Sequence, residues 1–104
     1  MSPLAEALIA AIDAVDGLER GASRLGSGGW PAWFAGGREV AHLHAEDRID
    51  LRLPRATQRR LGADPRVRPR KSRSAWLELE LGSLADVADV VALVRMARAA
   101  EPRR

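Results

Sequence analysis

The sequence REVAHLHAEDRIDLRL, residues 38–53, decides the fold. Its two ends, Arg38–His44 and Ile49–Leu53, alternate apolar and polar residues, which is the period-two pattern of a strand with one buried face. The polar residues 45–48 between them read as a turn. We therefore predict an antiparallel hairpin over this stretch.

The same alternation assigns side chains to the two faces of the hairpin. One face, which we predict to be the core side, takes Ala41, Leu43, Ile49, Leu51 and Leu53. The opposite face takes the remaining side chains, namely Val40, His42, His44, Asp50 and Arg52. An even shift in strand pairing preserves this grouping, whereas an odd shift destroys it.

Two further regions carry weaker strand signals. Residues 75–81 alternate again, with Trp76, Glu78 and Glu80 on the outward face. Residues 21–37 are rich in glycine, which predicts short strands and loops. Within them we predict an edge strand at 22–25, a tight turn at Gly36-Gly37, and a lid over the core made of Trp30, Trp33 and Phe34.

Three segments read as helices. The first begins at Ser2, a suitable N-cap, and stops near Gly17. The second is short and basic, from Pro54 to Leu61. The third spans about 83–100, with a capping box of Ser83 and Asp86. Its predicted buried stripe consists of Leu84, Val87, Val91 and Val94.

These elements predict a single domain of the α+β class over residues 1–104. A small antiparallel sheet of three to four strands carries an N-terminal and a long C-terminal helix on one face, and a short helix lies between strands. Residues 101–104 form a frayed tail in this prediction. The other sheet face is unusually polar.

Composition excludes several classes of protein. The chain has no cysteine, which rules out disulfides and thiolate zinc ligands. Its first residues lack the basic leader of a signal peptide, and no apolar stretch reaches the ~20 residues that span a bilayer. We therefore expect a cytoplasmic protein with no membrane segment.

The paired histidines are the strongest chemical feature. His42 and His44 share one strand face, where Asp50 and Glu78 can join them from neighbouring strands. Two histidines with a carboxylate suit zinc or non-haem iron, or a general base held by an acid. A structural or interface role for the histidines is the competing interpretation. Of these alternatives, we do not expect the histidines to bind a metal.

Basic residues are concentrated in one segment. The net charge is +3, yet residues 55–73 hold eight basic residues against Asp64 alone, a local charge of +7. Arg52, Lys71 and Arg73 are candidates to hold an anionic group near the histidines. A solvated loop is the competing interpretation. Nucleic acid is an unlikely partner, because no recognition helix or stacking strand accompanies the charge.

The quoted segments resemble the luciferase-domain family. The resemblance rests on REVAHLH at 38–44, IDLRLPR at 49–55, SAWLEL at 74–79, and the helix containing Asp86-Val87 and LVRMA at 93–97. It implies a small bacterial or fungal protein, in a family mostly of unknown function. The family takes its name from fungal luciferase, which oxidises a hispidin-type luciferin with oxygen and without a metal or organic cofactor.

The resemblance and the residues together predict a small-molecule site on the polar sheet face, without a cofactor. His42 or His44 acts as base or hydrogen-bond donor in this hypothesis, oriented by Asp50. Arg52, Lys71 or Arg73 holds an anionic or enolate group, Trp76 stacks, and Glu78 lies beside them. The alternative is a non-enzymatic module that uses the same face for a homodimer or another partner.

Overall fold

The computed structural model describes residues 1–23, 28–68 and 74–101. The helices are α1 (Pro3–Asp13), α2 (Arg55–Leu61) and α3 (Val87–Ala99), and a short 3-10 turn (Leu84–Asp86) precedes α3. The strands are β1 (Glu19–Ala22), β2 (Pro31–Ala35), β3 (Arg38–Ala45), β4 (Arg48–Arg52), β5 (Val67–Arg68) and β6 (Trp76–Glu80). They form one antiparallel sheet in the order β1-β2-β3-β4-β6-β5, which confirms the α+β class.

The sheet has six strands, so the prediction of three to four was wrong. The unpredicted strands lack the alternation that reveals a half-buried strand. Strand β1 is exposed along its whole length and lies at Glu19–Ala22. Of the edge strand predicted at 22–25, residues 24 and 25 lie outside the described residues. Strand β5 has only two residues. Strand β2, with the sequence PAWFA, contains no charged residue to mark an outward face.

The core lies between the sheet and the helices α1 and α3. Trp33 is a fully buried residue of β2 and packs in this core, so it does not belong to a lid. Its indole Nε1 donates a hydrogen bond of 2.9 Å to Oδ1 of Asp13, at the end of α1. This bond satisfies the polar atom that burial of a tryptophan would otherwise leave unpaired. Of the helices described, none combines the length and apolar character that crossing a membrane requires.

The last helix buries a different stripe from the predicted one. Val90, Val94 and Ala97 are buried, whereas Leu84 is 57% exposed. The reason is that Leu84 belongs to the 3-10 turn, whose three residues per turn place it out of phase with the α-helix that follows. The capping box of Ser83 and Asp86 is confirmed.

The predicted glycine turn and the predicted cap of α1 are both present in the structure. Gly36 and Gly37 have φ angles of 57° and 83°, and they connect β2 to β3 as a two-residue turn that needs positive φ at both positions. The Oγ of Ser2 accepts a hydrogen bond of 3.1 Å from the backbone N–H of Ala5, which confirms the predicted cap of α1.

Two β-bulges in β3 change which way its side chains point. Opposite β2, Trp33 pairs with Ala41 and Phe34 pairs with Glu39, so Val40 is an extra residue. Val40 and Ala41 are both fully buried in the core, which corrects the placement of Val40 on the histidine face. Bulges redirect side chains in this way and occur often beside functional sites.

Arg66 forms ion pairs that connect the segment before β5 to the start of α3. Its guanidinium lies 2.7 Å from Asp64, and 2.9 Å from both Asp86 and Asp89. The side-chain hydrogen bond from Arg66 lowers the pKa of Asp64 from 3.8 to about 2.

This lowered pKa predicts a loss of stability in acid. Because Asp64 binds protons less readily in the folded state, its contribution is complete above about pH 4 and disappears as the pH falls through about 2. We expect Asp64→Asn to reduce the free energy of unfolding by about 1 kcal/mol at neutral pH, since the pair is partly exposed to solvent. Urea unfolding of both proteins at neutral pH and near pH 3 checks this. A difference that stays constant with pH would contradict it.

Candidate functional site

The sheet face opposite the helices carries a row of ionisable side chains. In the strand register, His42 of β3 pairs with Asp50 of β4, and Asp50 pairs with Glu78 of β6. Directly paired residues in an antiparallel sheet project from the same face. The row therefore places on one face three residues that the sequence analysis had grouped, and Ala32 of β2 flanks it beside His42.

His42 lies between two carboxylates. Its Nδ1 is 2.9 Å from Oε2 of Glu39, and its Nε2 is 3.1 Å from Oδ2 of Asp50. The Nδ1 contact is close enough for an ion pair but is not aligned as a hydrogen bond. All three residues are nearly inaccessible, with exposures of 6–7%. His42 is therefore enclosed by protein on both sides of its ring.

Glu39 belongs to this site, although the sequence analysis did not select it. Its Oε2 also accepts a hydrogen bond of 2.8 Å from Oγ of Ser23, in the segment after β1. By strict alternation Glu39 would share the core face with Ala41. The bulge at Val40 turns it to the polar face, and no pattern in the sequence signals that bulge.

His44 occupies a more open position on the same face. Leu43 pairs with Ile49 and Ala45 pairs with Arg48, so His44 is the extra residue of a second bulge. Its side chain is 29% exposed. Nevertheless its Nε2 atom is covered, at 3.3 Å from Oδ1 of Asp50 and 3.6 Å from Oε2 of Glu78.

Trp76 and Arg52 form a wall beside His42. They are paired directly across β4 and β6. The Trp76 ring centroid is 4.9 Å from that of His42, and Cζ of Arg52 lies 4.8 Å from the Trp76 ring centroid, within the range of a cation–π contact. The Nε of Arg52 donates a 3.2 Å hydrogen bond to the backbone carbonyl of Glu39. Trp76 thus adjoins His42, and Arg52 adjoins Trp76 and Glu39.

Lys71 and Arg73 lie outside the described residues, so their anion-holding role stays a prediction. Further along the polar face, Glu80 lies 3.2 Å from Arg48 and 3.3 Å from Arg68. This ion-pair group is separate from the row of His42, and the two groups share the strands β4 and β6.

Burial of so many ionisable groups points to a use beyond stability. Moving charged groups out of water is costly, and replacing a buried ionic group by apolar residues is often neutral or stabilising. Yet Glu39, His42 and Asp50 are buried together on one sheet face. Such clusters are enriched at binding and catalytic sites. The arrangement can orient an imidazole, move a proton, or hold a cation at the carboxylates.

Comparison with known proteins concerns the segment that carries this site. No curated protein and no solved structure matches the chain. A family model described as "Luciferase domain" matches residues 37–97, more than half of the chain. The match includes both histidines, Glu39, Asp50 and the β6 residues of the site. On this evidence the chain belongs to the luciferase-domain family.

Proposed function

We propose that the chain binds a small anionic or enolic molecule over the polar sheet face, beside His44. The main support is the buried series Glu39–His42–Asp50, which ends at the partly exposed ring of His44. Close contacts between buried polar groups restrict the orientations that their side chains can take. The network therefore prepares one accessible group, His44, for contact with a ligand.

The two histidines have different roles in this proposal. His42 is enclosed by protein and holds the carboxylate of Asp50 through Nε2. His44 is about four times more exposed than His42, at 29% against 8% for the side chains. A group that exchanges a proton or hydrogen bond with a ligand must be within reach of it. His44 therefore meets the ligand, and His42 positions Asp50.

The chemistry of the ligand follows from the neighbouring groups and the family. Trp76 offers an aromatic surface beside His42, and Arg52 stacks on that surface with its positive charge. A flat molecule with a delocalised anion suits such surroundings. The enzyme after which the family is named acts on an enolic luciferin, which supports the same ligand class.

The proposal is tested by NMR titration with dimedone, a cyclic diketone that exists as an enolate at neutral pH. We expect amide and indole signals near His44 and Trp76 to shift. We expect His44→Ala to weaken binding about tenfold or more, the loss of about one charge-assisted hydrogen bond. Glu80→Gln is the matched control and should bind as the unaltered protein does, because Glu80 projects from the same face outside the row. Equal affinity in all three proteins would refute the proposed role of His44.

The alternative use of this face is contact with a second copy of the chain. Sedimentation of the protein without dimedone distinguishes the two. A dimer whose association is abolished by His44→Ala, together with no dimedone-induced shifts, would replace small-molecule binding by an interaction role. A monomer whose signals shift with dimedone supports the proposed function.

A further inference from the structure

Three ligand-type atoms converge at the open end of the buried row. His44, Asp50 and Glu78 each offer one such atom, all within 4.8 Å of one another, and Nε2 of His44 faces Oδ1 of Asp50 and Oε2 of Glu78. We infer that these atoms form a site for a divalent cation of the zinc type. The inference extends the proposed function. It rests on that function in one respect, namely that the bound small molecule completes the coordination of the cation.

The two separations from the His44 nitrogen fit ligands of a tetrahedral ion. Bonds from zinc to histidine nitrogen and carboxylate oxygen measure about 2.0–2.2 Å, so two ligand atoms at the tetrahedral angle are about 3.3–3.6 Å apart. Nε2 of His44 is 3.3 Å from Oδ1 of Asp50 and 3.6 Å from Oε2 of Glu78. Both separations agree with ligands of one ion.

The state of the His44 nitrogen is a second, independent observation. Among the described residues, Nε2 of His44 has no hydrogen-bond partner, although it is covered and faces two carboxylates. Covered polar atoms in proteins nearly always have a partner, and an exception needs an explanation. A cation between the nitrogen and the carboxylate oxygens would supply that partner, with the neutral imidazole acting as a lone-pair donor.

Local charge favours a cation. Asp50 and Glu78 bring two carboxylates to one neutral imidazole, for a ligand set of charge −2 when both are ionised. The guanidinium groups of Arg48 and Arg68 lie against Glu80. That of Arg52, two residues from Asp50 on β4, lies over Trp76. A divalent ion would neutralise the ligand set.

The buried row then acts as an outer layer around the ligands. His42 lies 3.1 Å from Oδ2 of Asp50, the oxygen that does not face His44, and Glu39 lies against the other nitrogen of His42. Histidine–carboxylate contacts of this kind commonly fix the orientation of metal ligands. This arrangement separates the histidines: His44 is a ligand, and His42 is a positioning residue.

Three protein ligands leave a fourth position open, as in catalytic zinc sites. The side chains of His44 and Glu78 are 29% and 19% exposed, so a bound molecule would reach this fourth position from their side. An anionic or enolate oxygen of a bound molecule would occupy it. The inference departs from the metal-free site expected from the sequence.

Cobalt binding tests the inference directly. Protein stripped of metal with a chelator is titrated with Co²⁺, a zinc substitute with visible absorption bands that report coordination geometry. We expect one equivalent to bind with the bands of a four-coordinate ion. Glu78→Gln, which preserves shape and removes a charge, should weaken binding about tenfold or more. Glu80→Gln, two residues along the same strand, should bind as the unaltered protein does.

The outcomes separate this inference from the proposed function. Absence of Co²⁺ binding, or equal affinity in the Glu78→Gln and Glu80→Gln proteins, overturns the inference. The Co²⁺ affinity of the His44→Ala protein is a second test of the site. If His44→Ala does not fold, the Co²⁺ affinity of Glu78→Gln is the deciding measurement. Co²⁺ binding without dimedone binding supports the cation site and refutes the proposed ligand. Dimedone binding to metal-free protein, without Co²⁺ binding, supports the proposed ligand and refutes the cation site.

Discussion

Replacing His42 with alanine will lower the free energy of unfolding by about 3–5 kcal/mol, a large part of the stability of a small domain. The substitution removes the ring that lies between Glu39 and Asp50 and leaves two carboxylates buried together. Uncompensated buried charge is among the most destabilising changes a protein can suffer.

Chemical denaturation of the single variants measures this effect. His44→Ala is the matched control because it removes the same ring two residues away on the same face, from a side chain that is 29% exposed. We expect this control to lose less than about 1.5 kcal/mol, the scale of one ordinary hydrogen bond. Equal losses in the two variants would contradict the division of roles between the histidines.

Replacing Trp33 with alanine should cost about 3–5 kcal/mol, as large aromatic truncations in a core do. The side chain is fully buried, and its indole N–H is bonded to Asp13. The truncation leaves a cavity between sheet and helices and also breaks the tie between β2 and the end of α1. Since small domains have only about 5–15 kcal/mol of net stability, much of the population should unfold on mild heating.

Thermal unfolding followed by circular dichroism tests this prediction. Trp33→Phe is the matched control, because it keeps most of the apolar volume and removes the indole N–H. We expect it to lie between the alanine variant and the unaltered protein. An alanine variant that unfolds at the original temperature would show that Trp33 lies outside the core.

The hairpin and its polar face could be predicted from the sequence because their signals are local. Alternation over 38–44 and 49–53 has period two, and the core needs only one of the two faces. His42, Asp50 and Glu78 thus meet in the structure through simple strand register. The helix caps at Ser2 and Ser83 follow from equally local chemistry.

The remaining features depend on contacts that alternation does not record. The bulge at Val40 is set by pairing with β2, a strand whose sequence shows no outward polar residue, so alternation alone does not place Glu39 on the polar face. Leu84 fell outside the buried stripe because a 3-10 turn precedes α3. The exposed strand β1 carries no burial pattern at all.

The central claim is that the polar sheet face binds a small molecule beside His44. Intermolecular nuclear Overhauser effects between the methyl groups of dimedone and the protein test it most directly, because they report only proximity. We predict contacts to the ring protons of His44 and Trp76. Contacts confined to residues outside this face, for example on the exposed strand β1, would contradict the claim.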